Sequence, residues 1–160
     1  MCLLLHYCTG GAAVACHAQS QTNPTTRTDA FLPAHCRCNS GYAHRPLAEY
    51  GTAAVLPDND CHACPPGHHN AAVGVPACTQ CVAGTAVSGT ASASITACSQ
   101  CGSNTFSAAG SATCSACGAA SQSPAGSDQE IDCVCNAGFT GVPGGACNTC
   151  AAGKFKLLEG

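Results

Sequence analysis

The chain has 160 residues and a net charge of −3, with five Lys and Arg against eight Asp and Glu. It has no basic face to neutralise phosphate, which argues against nucleic acid as a partner, and no apolar run near the roughly 18–20 residues of a membrane span. Cysteine dominates instead, at 17 of 160 residues, above the roughly 8–10% that marks a disulfide scaffold in a short secreted chain.

Leu, Ile, Val and Phe together number 22, with no Trp and one Met. That is below the roughly one-fifth expected of a chain with an ordinary core. So few large side chains cannot offset the entropy of ordering the backbone by burial alone. Covalent cross-links must supply part of the stability.

Residues 1–18 hold a short apolar core (Leu3, Leu4, Leu5) and a small-residue stretch, Ala12-Ala13-Val14-Ala15. They resemble a weak secretory signal, although no Lys or Arg precedes the apolar part. The alternative is an ordinary internal piece of a longer protein. Residues 19–35 are polar and read as a linker. Asn23-Pro24-Thr25 is not a glycosylation acceptor, because proline occupies its middle position.

From Cys36 onward the chain is a succession of cysteine pairs. Five are CxxC: Cys61/Cys64, Cys78/Cys81, Cys98/Cys101, Cys114/Cys117 and Cys147/Cys150. Two are CxC: Cys36/Cys38 and Cys133/Cys135. The CxxC segments align on a frame C-x-x-C-x-x-G. Gly67, Gly84 and Gly153 stand three residues after the second cysteine, whereas Gly102 and Gly118 follow it directly. Glycine at these places permits a positive-φ turn beside a cross-link. Both CxC pairs continue as C-x-C-N-x-G-aromatic, ending at Tyr42 and Phe139. This sets a first super-repeat over 36–132 and the start of a second over 133–160, as in a piece of a longer array.

The expected fold is a small disulfide-rich repeat array, elongated, built of loops and short two-stranded β-hairpins without a large core. Strands of two to four residues are placed at 84–87 and 105–107. No stretch has sustained helical periodicity, and Ala119-Ala120 is too short to nucleate a helix.

The gaps between pairs propose a connectivity in which the second cysteine of each pair joins the first of the next. The bridges would be Cys38–Cys61, Cys64–Cys78, Cys81–Cys98, Cys101–Cys114, Cys117–Cys133 and Cys135–Cys147. Most would close loops of about 12–17 residues, each contributing on the order of 3 kcal/mol in the chain-entropy picture. Cys16 and Cys36 remain as a pair, and Cys150 awaits a partner beyond residue 160. Other connectivities fit the same sequence.

The pattern resembles the ephrin-receptor-like cysteine-rich repeat and, more distantly, the modules of tumour-necrosis-factor receptors. Those families string C-x-x-C-P-x-G-T-[FY] units end to end. Cys61-His62-Ala63-Cys64-Pro65-Pro66-Gly67 matches the proline and glycine, residues 78–85 the Gly-Thr, and residues 101–106 the Thr-Phe. The C-x-C-N-x-G-[YF] element looks like the EGF-like unit that interrupts such arrays in large surface proteins of algae and protists. The resemblance implies an extracellular, secreted or cell-surface protein with a structural or adhesive role. Its partners would be other proteins, with membrane attachment only through other parts of the parent protein. A ligand-binding receptor ectodomain is the alternative.

Zinc is the rival use of the same cysteines, in an intracellular zinc-ribbon protein. Cys61/Cys64/Cys78/Cys81 and Cys98/Cys101/Cys114/Cys117 each approach ribbon spacing. The pairs repeat without a break, however, so any choice of quartet is arbitrary, and we expect no metal or other cofactor. His62, His68 and His69 read as solvent-exposed loop histidines. Asp58 and Asp60, and Asp128, Glu130 and Asp132, read as solvated acidic turns rather than calcium ligands. No nucleophile motif or phosphate-cradling loop is present, so no enzymatic activity is expected.

Overall fold

The computed structural model describes residues 6–9, 12–15, 20–22, 36–44, 61–74 and 77–155. Its regular structure is short strands: β1 His6–Thr9, β2 Ala12–Ala15, β3 Ser20–Thr22, β4 Cys36–Cys38, β5 Tyr42–His44, β6 Cys61–Ala63, β7 His68–His69 and β8 Thr79–Gln80. These are followed by β9 Thr85–Ala86, β10 Ser99–Gln100, β11 Thr105–Phe106, β12 Ser115–Ala116, β13 Ser121–Gln122, β14 Val134–Cys135, β15 Phe139–Thr140 and β16 Asn148–Thr149. Among the described residues they form eight two-stranded sheets, each pairing consecutive strands. The helical content there is two single 3-10 turns, Ile95–Ala97 and Glu130–Asp132. The fold is therefore loop-rich, with short antiparallel hairpins and no closed sheet. Part of the stretch read as linker, Ser20–Thr22, is a strand paired with Cys36–Cys38, since backbone ladders need no apolar side chains.

The chain divides into two compact units. One contains the described parts of 1–65, 69–79 and 90–95; the other contains 66–68, 80–89 and 96–155. The same construction recurs in each. Three residues after the second cysteine of a pair, φ is positive at Gly41, Gly67, Gly84, Asn104, Ala120, Gly138 and Gly153, between 56° and 82°. This residue is the third of a four-residue turn. The turn closes by backbone bonds such as Thr85 N to Val82 O at 3.1 Å, Phe139 N to Asn136 O at 3.0 Å and Lys154 N to Ala151 O at 2.9 Å. A left-handed third residue is what a type II turn requires.

The turn residue is then held from both sides by backbone. In the first unit Gly41 N donates to Asn70 O at 2.7 Å, and Gly41 O accepts from Cys64 N at 2.9 Å. In the second, Gly67 N donates to Val87 O at 2.7 Å and Gly67 O accepts from Cys81 N at 2.8 Å. Gly84 and Asn104 repeat the arrangement with Ser107/Cys101 and Ser123/Cys117. Counted from the first cysteine of a pair, the donor to the turn carbonyl is always the third residue: Cys64, Cys81, Cys101, Cys117, Asn136 and Cys150. The CxC pair is thus the same hairpin with its second cysteine drawn in by one place. Accordingly Ser121 faces Cys135 where Thr85 faces Gln100.

The middle repeats depart from the glycine pattern. The left-handed position is Asn104 and Ala120, not Gly102 and Gly118, because hydrogen-bond register fixes the offset and the glycines only tolerate it. Asn is the residue type that most readily replaces glycine there. At Gly41 and Gly67 the constraint is double. A Cβ would also collide with the carbonyl of Ala91 and Gly110, respectively.

A second row of positive-φ residues, Gly74, Ala91, Gly110 and Gly126, donates N–H groups to the carbonyls of Cys38, Cys64, Cys81 and Cys101 at 2.8–2.9 Å. The residue before each of these cysteines decides what fits. A Cβ on Gly110 would lie 3.2 Å from the Gln80 amide carbon, and one on Gly126 would meet the Gln100 amide. Where the residue before the cysteine is Ala63, a side chain that ends at Cβ, the corresponding left-handed residue is itself alanine, Ala91.

Two outcomes follow for thermal or denaturant unfolding under non-reducing conditions. Ala120→Gly raises stability by about 1 kcal/mol by relieving a left-handed alanine, whereas Gly67→Ala lowers it by more than about 2 kcal/mol, since steric collision adds to the same φ cost. Gly110→Ala is destabilising, and adding Gln80→Ala recovers part of that loss, giving a nonzero coupling in the double-mutant cycle.

Candidate functional site

The described interior is sulfur and small side chains. Buried apolar residues are Cys38, Cys61, Cys64, Cys81, Cys101, Cys133 and Cys135 with Ala43 and Ala86. The structure joins Cys38 to Cys61, Cys64 to Cys78, Cys81 to Cys98, Cys101 to Cys114, Cys117 to Cys133 and Cys135 to Cys147. Cα–Cα distances are 5.5–5.7 Å, at the mode for relaxed bridges. Sequence separations run from 12 to 23 residues. Among the described residues Cys150 is the free cysteine, half-buried. Cys16, and with it the proposed Cys16–Cys36 pair, lies outside the described residues.

Every cysteine of the two zinc-ribbon quartets is consumed in these bridges, and Cys61, Cys64 and Cys81 each bond to a different partner. Metal ligation needs thiolates, and a sulfur held in an S–S bond is not one. Among the described residues no group of three His, Cys, Asp or Glu converges as a metal would require.

The histidines are less exposed than expected: His62 and His68, on β6 and β7, are half-buried. His69 is buried at 8% exposure, and its Nδ1 has no hydrogen-bond partner. The reason is its offset: five residues after the second cysteine the side chain points inward, as do Ala43 and Ala86. His68 Nδ1 lies 3.1 Å from Pro66 O. Asp58 and Asp60 lie outside the described residues. In the other acidic turn, the Asp132 carboxylate accepts N–H bonds from Asp128 at 3.0 Å and Gln129 at 3.1 Å. That carboxylate serves its own 3-10 turn, while Asp128 and Glu130 stand exposed.

A set of buried donors is not apparent from the sequence pattern. Six residues after the second cysteine stand Asn70, Ser107 and Ser123, each at most 5% exposed. Asn70 Nδ2 donates to Tyr42 O at 2.7 Å, Ser107 Oγ to Thr85 O at 3.0 Å and Ser123 Oγ to Thr105 O at 3.3 Å. Each satisfies the carbonyl four residues after the preceding second cysteine. The signal that could have found them is the fixed offset. The hydroxyls directly after the turn are engaged as well. Thr85, Thr105 and Ser121 donate at 2.7 Å to the carbonyls of Val82, Gly102 and Gly118. That bond accounts for Thr or Ser directly after the left-handed residue.

No protein-family model matches this sequence, and none of the curated proteins does. The dense disulfides by themselves suggest a disulfide-rich module of the extracellular kind, in an oxidising environment.

Ser107→Ala should cost about 1 kcal/mol, because the part-buried Thr85 carbonyl loses this donor. Ser88→Ala, at an exposed site, should leave the unfolding midpoint unchanged. Urea unfolding of the oxidised chain checks both.

Proposed function

We propose that this chain is a structural or adhesive segment of an extracellular protein, acting as a spacer or assembly module through contact with other proteins. On this reading it is not an enzyme and uses no cofactor. Its repeats would be distant kin of ephrin-receptor-like units, with the CxC hairpins in the place of EGF-like ones. The observation that carries the reading is the run of six bridges, each tying one cysteine pair to the next, with cysteine and alanine as the buried apolar residues among those described. Such a chain keeps its fold only where disulfides persist, which means the secretory route, the cell surface or the extracellular space. The residues inside several of the cysteine pairs are exposed, small and polar, such as Thr79, Ser99, Ser115 and Asn148. They present a hydrated surface suited to spacing and contact rather than to enclosing a small ligand.

The test is expression of the full chain through an oxidising compartment, followed by limited proteolysis, thiol counting and disulfide mapping. The expected result is protease resistance over 61–150 that survives EDTA and is lost on reduction, with one reactive thiol among the cysteines from 38 to 150. Alkylation of most cysteines without reductant, together with unfolding by EDTA, overturns the proposal.

A further inference from the structure

Within the second compact unit, the loop carrying Pro124 and Ala125 and the 3-10 turn Glu130–Asp132 border an open groove of about 500 Å³. Ile131 and Val134 line it, with Asp128 and Asp132 at its edge. Ile131 is 60% exposed, and Val142, in the turn packed beside it through Gly144, is 72% exposed. The described carboxylates of the protein, those of Asp128, Glu130 and Asp132, all lie on this loop. In a molecule whose buried apolar residues, among those described, are cysteine and alanine, it is an apolar surface with an acidic border.

The complementary chemistry is present in the same sequence. Lys154-Phe155-Lys156-Leu157-Leu158 contains both lysines of the chain and alternates them with three large apolar residues. Its first residue closes the turn Ala151–Lys154 by donating N–H to Ala151 O at 2.9 Å, and Phe155 directly after it is 79% exposed. The ring thus leaves its own hairpin facing water and not the groove.

We propose that segment 154–158 of one copy docks in the acidic-bordered groove of a second copy, Phe155 against Ile131 and Val134, and the lysines toward Asp128 and Asp132, the carboxylates that line it. Five residues bury less than the roughly 1,200 Å² of a standard interface, so the contact is weak and reversible. Exposed ion pairs at its edge make it salt-sensitive. A reversible contact between copies is what a module of assembly needs, and the inference rests on that reading of the chain.

The experiment uses the full chain carrying Cys150→Ser, so that no intermolecular disulfide can mimic association. Sedimentation velocity is run over a concentration series at low and high salt. A fluorescent peptide of residues 153–158 is titrated into the same protein. The expected result is concentration-dependent dimerisation, peptide binding, and weakening of both by added salt. Lys154→Glu with Lys156→Glu, and separately Asp128→Lys, each lower the affinity by at least roughly tenfold, the scale of an apolar contact flanked by screened ion pairs. Mixing the two charge-reversed proteins restores association, which neither shows alone. An unchanged disulfide map shows that each variant is folded.

The proposal is overturned if the chain is monomeric and the peptide does not bind, or if dimers form equally in both variants. It is also overturned if the peptide binds while the chain stays monomeric above the peptide's Kd, because the segment then fills its own groove. None of these outcomes alters the disulfide map or the protease resistance that decide the extracellular reading, so the two fail separately.

Discussion

The left-handed residue three places after each second cysteine is the constraint from which the remaining geometry follows. At Gly41, Gly67, Gly84 and Asn104 its N–H and its carbonyl both bond to backbone further along the chain, and at Ala120 and Gly138 its carbonyl does. The bridge that leaves the same cysteine brings that next hairpin into place. Covalent linkage and hydrogen bonding therefore specify one register, and neither has to compensate for the other. Agreement of this kind between independent local choices is what gives a chain a single folded state.

It also explains how so few large side chains suffice. Each bridge removes loop freedom from the unfolded chain, on the order of 3 kcal/mol for loops of this length. Each buries at least one of its two cysteines where a conventional domain would place leucine. Part of the polar backbone left inside is then matched by Asn70, Ser107 and Ser123. Alanine and glycine elsewhere are adequate because little depends on their side chains, and at the crowded turns a larger residue would collide with a neighbouring carbonyl.

The fold class was legible in the sequence: cysteine density, scarcity of large side chains and glycine punctuation all pointed to short hairpins and loops, with strands near Thr85 and Thr105. What lay hidden has a common cause. Gly102 and Gly118 drew the eye to the wrong place in the middle repeats, because the left-handed site is set by hydrogen bonds to another hairpin and not by which local residue is most permissive. Asn70, Ser107 and Ser123 looked like loop filler, since the carbonyls they satisfy are 18–28 residues away in sequence. His69 looked exposed beside a proline-glycine turn, and only the inward offset shared with Ala43 and Ala86 reveals its burial. The borders of the acidic groove were visible as charges, but their adjacency to Val134 and Ile131 required the turn geometry.

The strands between the cysteines of a pair have a further consequence. Thr79, Ser99, Ser115 and Asn148 contribute their main chain to the hairpins, yet their side chains stand in water. Architecture and surface chemistry are thereby decoupled. A chain of this design has wide mutational latitude at those positions, so its outer face can be rewritten residue by residue, for a new neighbour or against an old one, while the scaffold beneath is inherited unchanged.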